Sequence, residues 1–289
     1  MDQLLPQLVN GLVLGLLLFL IAAGFSLIFG LMDVINLAHG SFLLFGGYVG
    51  LSVIRATGNF WLAAAVVPLV TGAVGLLIEV TVLRRTYTRG HLIQVLLTLG
   101  LALIAADLMR WNWGAYVESV DAPAALAGLV DFGGVFQVPL YRLAIIGFGL
   151  VMAGALWVVL ERTRLGAVVR AGVLDREMVA ALGIDIDKVV AGVFALGTAL
   201  AGLSGLLAAP VTSLYPGLDF DFLILALVVV VVGGMGSLKG AFWGALLVGM
   251  ADVLGKAYFP EFSLFAIFLI MAIVLLVRPQ GLFGTREAT

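Results

Sequence analysis

Between two long apolar runs the sequence reads "GLMDVINLAHGSF", residues 30–42. Asp33, Asn36, His39 and Ser41 are set there in a hydrophobic surrounding, where each polar group costs several kcal/mol unless it finds a partner. A serine protease of the membrane needs a serine with a histidine base, and the chain offers only His39 and His91 as bases. No G-x-S-x-G and no H-E-x-x-H occurs, the chain has no cysteine, and no paired-carboxylate motif is present. The residues therefore predict no catalytic group, no metal site and no cofactor, and His39 reads as a structural histidine. ATP hydrolysis needs G-x-x-x-x-G-K-[ST] between a strand and a helix. The nearest approach, "GMADVLGKA" (249–257), has one residue too many between its glycines and Ala257 where a hydroxyl is required. Any work driven by ATP must come from a partner chain.

The elements that hold these groups follow from composition. Of 289 residues, 63% are hydrophobic and 11% charged, and the mean hydropathy is +1.21. A soluble domain is about 25% charged, so this chain could not cover its surface in water, and lipid is the solvent that suits it. A net charge of −2 without a basic patch points away from nucleic acid. Apolar runs near 7–30, 60–83, 91–109, 139–160, 188–210 and 262–278, with shorter ones near 41–54, 221–235 and 237–255, suit membrane helices. The first run follows an acidic start and is too long for a signal-peptide core, so it is expected to stay as a span. Period-two alternation is absent. The fold class expected is an all-α integral membrane protein, a polytopic bundle of about eight or nine crossing or partly crossing helices, some of them broken.

The basic residues set the orientation. With the N-terminus outside and the C-terminus inside, Arg84, Arg85, Arg89, Arg162, Arg164, Arg170, Arg176, Lys188, Lys239, Arg278 and Arg286 fall on the inner side. Arg55, Arg110, Arg142 and Lys256 remain outside. Eleven of the fifteen Lys and Arg are then internal, as the positive-inside rule requires. The chain forms one permeation domain, 1–289, with an outer loop at 111–138 and an inner loop at 161–188. Two short helices are expected in the inner loop, the first at 166–172. Asp175 is the N-cap of the second, Gly183 its C-terminal glycine, and Met178, Val179 and Leu182 an apolar edge.

Polar and small residues inside the bundle divide between transport and packing. A helical projection puts Ser26, Gly30, Asp33, Asn36 and Gly40 on one stripe, facing either a solute path or a helix seam. Candidates for a path are Asn36, Ser41, Asp33, His39, Gly234 and Ser237. Gly11 and Gly15, and Gly236, Gly240 and Gly244, read as packing faces, as do Gly192, Gly197 and Gly202. "GGMGS" predicts a discontinuity at 233–237. An ion-coupled secondary transporter would use buried acids. Of Asp33, Glu79, Asp107 and Asp252, the second and third lie near span ends and read as interfacial anchors.

Four stretches carry a resemblance. "RTRLGAVVRAGVLDREMVAALGID" (162–185) resembles the cytoplasmic coupling loop of bacterial ABC-importer permeases. "INLAHGSF" (35–42), "VVGGMGSLKGAFWGALLVG" (231–249) and "LVRPQGLFG" (276–284) resemble the permeases of branched-chain amino-acid importers, in that family's order. The resemblance implies a multi-pass subunit of the bacterial inner membrane. It would pair with a homologous permease, as a heterodimer or homodimer, and with two cytoplasmic ATP-binding subunits. A periplasmic binding protein would deliver substrate. It places Arg164, Arg170, Asp175, Ala180 and Gly183 in the coupling loop. Branched-chain or related amino acids are the implied cargo; urea, short amides and small carboxylates are carried by relatives. At Leu225 relatives often have a charged residue, and this departure bears on substrate rather than fold.

Overall fold

In lipid a long apolar run satisfies its own backbone by forming a helix, and among the described residues the chain does so nine times. The computed structural model describes residues 4–87, 89–133 and 136–284; Arg286 lies outside them. The nine helices are α1 (Leu4–Met32), α2 (His39–Thr57), α3 (Phe60–Thr81), α4 (His91–Trp113), α5 (Leu140–Arg162), α8 (Ile186–Thr212), α9 (Leu218–Gly233), α10 (Leu238–Tyr258) and α11 (Ser263–Val277). Seven are long and apolar enough to cross a membrane, whereas α9 and α11, with 16 and 15 residues, are shorter. Two short helices, α6 (Arg164–Leu174) and α7 (Arg176–Ala181), make the 161–188 loop. Strands β1 (Leu129–Asp131) and β2 (Gln137–Pro139) form an antiparallel pair in the opposite loop.

α1 is the hub. Its residues from Leu16 to Ala23 are all at most 1% exposed, enclosed by α5, α8, α9 and α10. A helix that is apolar all round belongs inside a membrane bundle or against lipid, and here the surrounding helices decide for the inside. α4 and α5 take the other option, presenting Leu96, Leu103, Ile104, Leu150 and Val151 outward.

Glycines set the helix crossings. A side chain at Gly24 would come within 2.6 Å of the Gly197 carbonyl, so α1 and α8 touch backbone to backbone, and Gly46 meets Gly202 in the same way where α2 crosses α8. Gly11 and Gly15 pack on Met250, Ala245 and Leu246 of α10, and Gly240 and Gly244 on Gly233 and Val229 of α9. Two expected packing residues do not serve a helical face. Gly236 is in the turn before α10 with φ +77, and Gly192 has nothing within 4 Å of where a side chain would begin.

The loop expected at 111–138 begins later than the sequence indicates, because α4 runs on through Trp111 to Trp113. Trp113 stacks on Tyr48 of α2 at 5.1 Å, Arg55 pairs with Glu118, and Glu118 exchanges backbone hydrogen bonds with Leu214. These contacts tie the loop to the ends of α2 and α8.

Candidate transport path and coupling surface

α1 stops at Met32 because Asp33 takes a left-handed conformation, φ +53, with its amide donating to Phe29 O at 2.7 Å. The chain then turns back into the bundle without helix. His39, the first residue of α2, has Nε2 3.1 Å from Ile21 O. Ile21 precedes the end of α1 by eleven residues, about 16 Å at a rise of about 1.5 Å per residue. α2 therefore begins well inside the bundle, and residues 33–38 are a re-entrant break. Its backbone is satisfied locally: Leu37 N donates to Thr98 Oγ1 at 3.2 Å, and Ala38 N to Asn36 Oδ1 at 3.1 Å. Unwound backbone at membrane depth persists only with such partners.

The expected polar stripe is not one helical face, since α1 and α2 are separate helices. Asp33 is exposed at the end of α1, 3.6 Å from His91 Nε2. Asn36, His39 and Ser41 are buried together, and Ser26 is buried in α1. Because a carbonyl only accepts, the contact with Ile21 puts the ring proton of His39 on Nε2. Its Nδ1 and the Asn36 Nδ2 have no protein partner among the described residues. His39 is thus structural on one nitrogen only.

Ser41 reaches a residue that the sequence reading passed over. Its hydroxyl donates to Asp219 Oδ2 at 3.4 Å, and Asp219 is 2% exposed in the first turn of α9. The signal was present in "GLDFDF", an acid at the mouth of an apolar run, where the first turn of a helix favours negative charge. Ser41 also lines an apolar cavity of about 340 Å³ between α2, α3 and α4, with Phe42, Phe45, Val74, Leu101 and Met109.

Gly234 and Ser237 lie apart from this group. "GGMGS" is the turn between α9 and α10, with Gly234 at φ +102 and the Ser237 hydroxyl accepting from Gly240 N at 3.1 Å as a helix cap. The C-terminal stretch closes over it: Leu282 N and Phe283 N donate to Val232 O and Gly233 O at 2.8 and 2.9 Å. Gly236 touches Gly30 and Val173, so this turn borders both the end of α1 and the α6–α7 loop.

That loop has the helices expected. Thr163 caps α6, and Asp175 caps α7 by accepting from Met178 N at 2.8 Å. Gly183 follows at φ +82. The expected apolar edge divides: Val179 is buried at 3%, whereas Met178 and Leu182 are 59% and 73% exposed, next to Leu174 at the end of α6, 78% exposed. Arg164 and Ala180 are exposed on the same loop, and Arg170 pairs with Glu161 at 3.6 Å.

A buried carboxylate supports the loop. Glu79, expected as an interfacial anchor, is wholly buried in α3. Arg84 donates to it through Nε at 3.2 Å and Nη2 at 2.9 Å, and Tyr87 through its hydroxyl at 2.8 Å. The Arg176 guanidinium, at the start of α7, lies 5.6 Å over the Tyr87 ring. Burial and then the bond to Glu79 raise the Tyr87 pKa, so Tyr87 remains a donor. Asp107, by contrast, is 82% exposed beside Arg110, as an interfacial acid should be. Asp252 is buried and paired with Lys256 at 2.7 Å.

The re-entrant break between α1 and α2, the glycine turn beside it and the capped helix pair at one end suit a membrane transport subunit. Residues 7–277 match the family described as "Branched-chain amino acid transport system / permease component". The chain belongs to this family. The permease is 31% identical to the high-affinity branched-chain amino acid transport system permease protein BraD of Pseudomonas aeruginosa, over 98% of this chain and 96% of that one. It is 30% identical to LivH of Escherichia coli, of the same description, with the same coverage. It is also 26% identical to the ribose import permease protein RbsC of Escherichia coli, over 88% and 80%. No solved structure matches it. The permease is a multi-pass membrane transport subunit and not itself an enzyme.

Proposed function

We propose that the permease carries branched-chain or closely related aliphatic amino acids across the inner membrane as one of two membrane subunits of an importer powered by ATP. The observation that carries this reading is the α7 surface. A two-turn helix exposing Met178 and Leu182 beside Leu174 at the end of α6, yet capped by Asp175 and braced by Arg176 on Tyr87, is built to be gripped from outside. A helix so short gains its stability from packing, and an ATP-binding partner supplies the remaining cover. BraD and LivH support the cargo.

In this reading the N-terminus is outside and the α6–α7 end is cytoplasmic, where Arg84, Arg162, Arg170, Arg176 and Lys239 also cluster. A binding protein delivers solute at the opposite end. Closure of the partner ATPases displaces α7, and the motion reaches α3 through Tyr87 and Glu79 and the ends of α1 and α10 through Val173, Gly30 and Gly236. Asn36, His39, Ser41 and Asp219 offer hydrogen-bonding groups at the re-entrant break, weak enough for solute to leave.

The test is uptake of radiolabelled leucine by the assembled importer in proteoliposomes. Uptake should require ATP and persist with proton and sodium ionophores; uptake by the purified chain driven by an ion gradient alone would overturn the assignment. Asp175→Arg with Gly183→Glu should abolish co-purification of the ATP-binding subunits, and unchanged assembly would refute the role given to α7.

A further inference from the structure

At the end of the molecule opposite α6 and α7 lies a cavity of about 740 Å³, between α1, α5, α9, α10 and the start of α11. That is within the roughly 300–1,000 Å³ of small-molecule sites. Much of its lining is aliphatic, including Val13, Leu14, Leu17, Leu225 and Val253. Charge of both signs is set around it, on Arg142, Asp221, Asp252 and Lys256.

The partners of those four charges separate them into two kinds. Asp252 and Lys256 neutralise each other at 2.7 Å. Arg142 and Asp221 do not: Arg142 donates to the neutral amide of Asn10, and Asp221 accepts from the neutral hydroxyl of Tyr215 at 2.9 Å. Neither has an ion-pair partner among the described residues. Tyr215 stays protonated as the donor, its pKa pushed up to about 12 by burial and then by Asp221. Of the four charges, Arg142 and Asp221 are thus one cation and one anion, each oriented by a neutral hydrogen bond and lacking an opposite charge, beside aliphatic lining.

We infer that this cavity is an outer receiving site for a zwitterionic aliphatic amino acid, with Arg142 taking the carboxylate, Asp221 the ammonium, and Leu14, Leu17 and Leu225 the side chain. The inference rests on the proposed amino-acid cargo and locates it. An uncharged urea or amide would leave both charges without a counter-charge, and a simple carboxylate would leave Asp221 so. Arginine is suited to the carboxylate because its planar donors match two oxygens.

The experiment measures binding to the full-length permease, purified with its associated subunits in nanodiscs, using L-leucine, 4-methylpentanoate (which lacks the ammonium) and 3-methylbutan-1-amine (which lacks the carboxylate). Leucine should bind saturably, and each truncated analogue about ten-fold or more weakly, the factor expected for losing one charge-assisted bond. Asp221→Asn should remove the discrimination against 4-methylpentanoate, and Arg142→Gln that against the amine. Equal binding of all three, no saturable binding, or variants that discriminate as the wild type does would each overturn the site. If a variant fails to fold, the analogue series on the wild type decides alone. Uptake distinguishes the two levels: leucine transported by an importer whose permease shows no such binding overturns the receiving site only, whereas an importer that moves other solutes but no branched-chain amino acid overturns the cargo.

Discussion

Glu79 illustrates how burial changes the meaning of a charged residue. At the end of an apolar run it has the position of an anchor, yet no part of it reaches solvent, and three donated hydrogen bonds hold it. Removing one partner of a buried pair leaves the other uncompensated, so Glu79→Ala should destabilise the permease by about 3 kcal/mol, the low end of the range because Arg84 is one-third exposed. Tyr87→Phe removes one hydrogen bond and Arg176→Ala one ring contact, each worth about 1 kcal/mol. Thermal melting in detergent checks the order; a Glu79→Ala protein as stable as Tyr87→Phe would show that the carboxylate is dispensable. The contact between Arg176 and Tyr87 is not local enough to read from spacing alone. Arg84 and Tyr87 are close to Glu79 in sequence, but Arg176 arrives from α7.

At the scale of elements, helix ends were the most legible feature. Asp175 and Gly183 have the residue types that cap and close a short helix, and both do so here. "GGMGS" likewise ends α9 and starts α10, because consecutive glycines weaken a helix wherever they stand. Helix faces were not legible. Gly46 and Gly24 face another backbone, while Gly100 and Gly147 face open space, and nothing in their immediate sequence separates the two kinds. Substitution does separate them. Gly24→Ala and Gly46→Ala must force helices apart and should cost about 1–3 kcal/mol each. Gly100→Ala and Gly147→Ala should be neutral or stabilise by up to about 1 kcal/mol through helix propensity. Melting temperatures of the four variants give the answer, and similar losses in all four would contradict the crossings described.

For the whole molecule, the two ends differ in chemistry. One carries α6, α7, the glycine turn and most arginines; the other carries the β1–β2 loop and the cavity with Arg142 and Asp221. The proposed orientation puts the first in the cytoplasm. Because the chain has no cysteine, single replacements report cleanly. Ala180→Cys, exposed on α7, should react with an impermeant maleimide only in inside-out vesicles, and Ala127→Cys, exposed in the opposite loop, only in right-side-out cells. The reverse pattern would invert the topology.

Solvent, spans and caps were determined by sequence alone, because each depends on local quantities: the apolar length that matches a bilayer, the lack of charge, and the residue types that end a helix. Which side of a helix meets protein and which meets lipid was decided only in the tertiary structure. A membrane core and its lipid surface are equally apolar, so α1, enclosed, and α4, largely exposed, are both apolar runs without a distinguishing period. The same limit hid Asp219 beside Ser41, and Arg142 and Asp221 in one cavity, since their meeting depends on how distant helices cross.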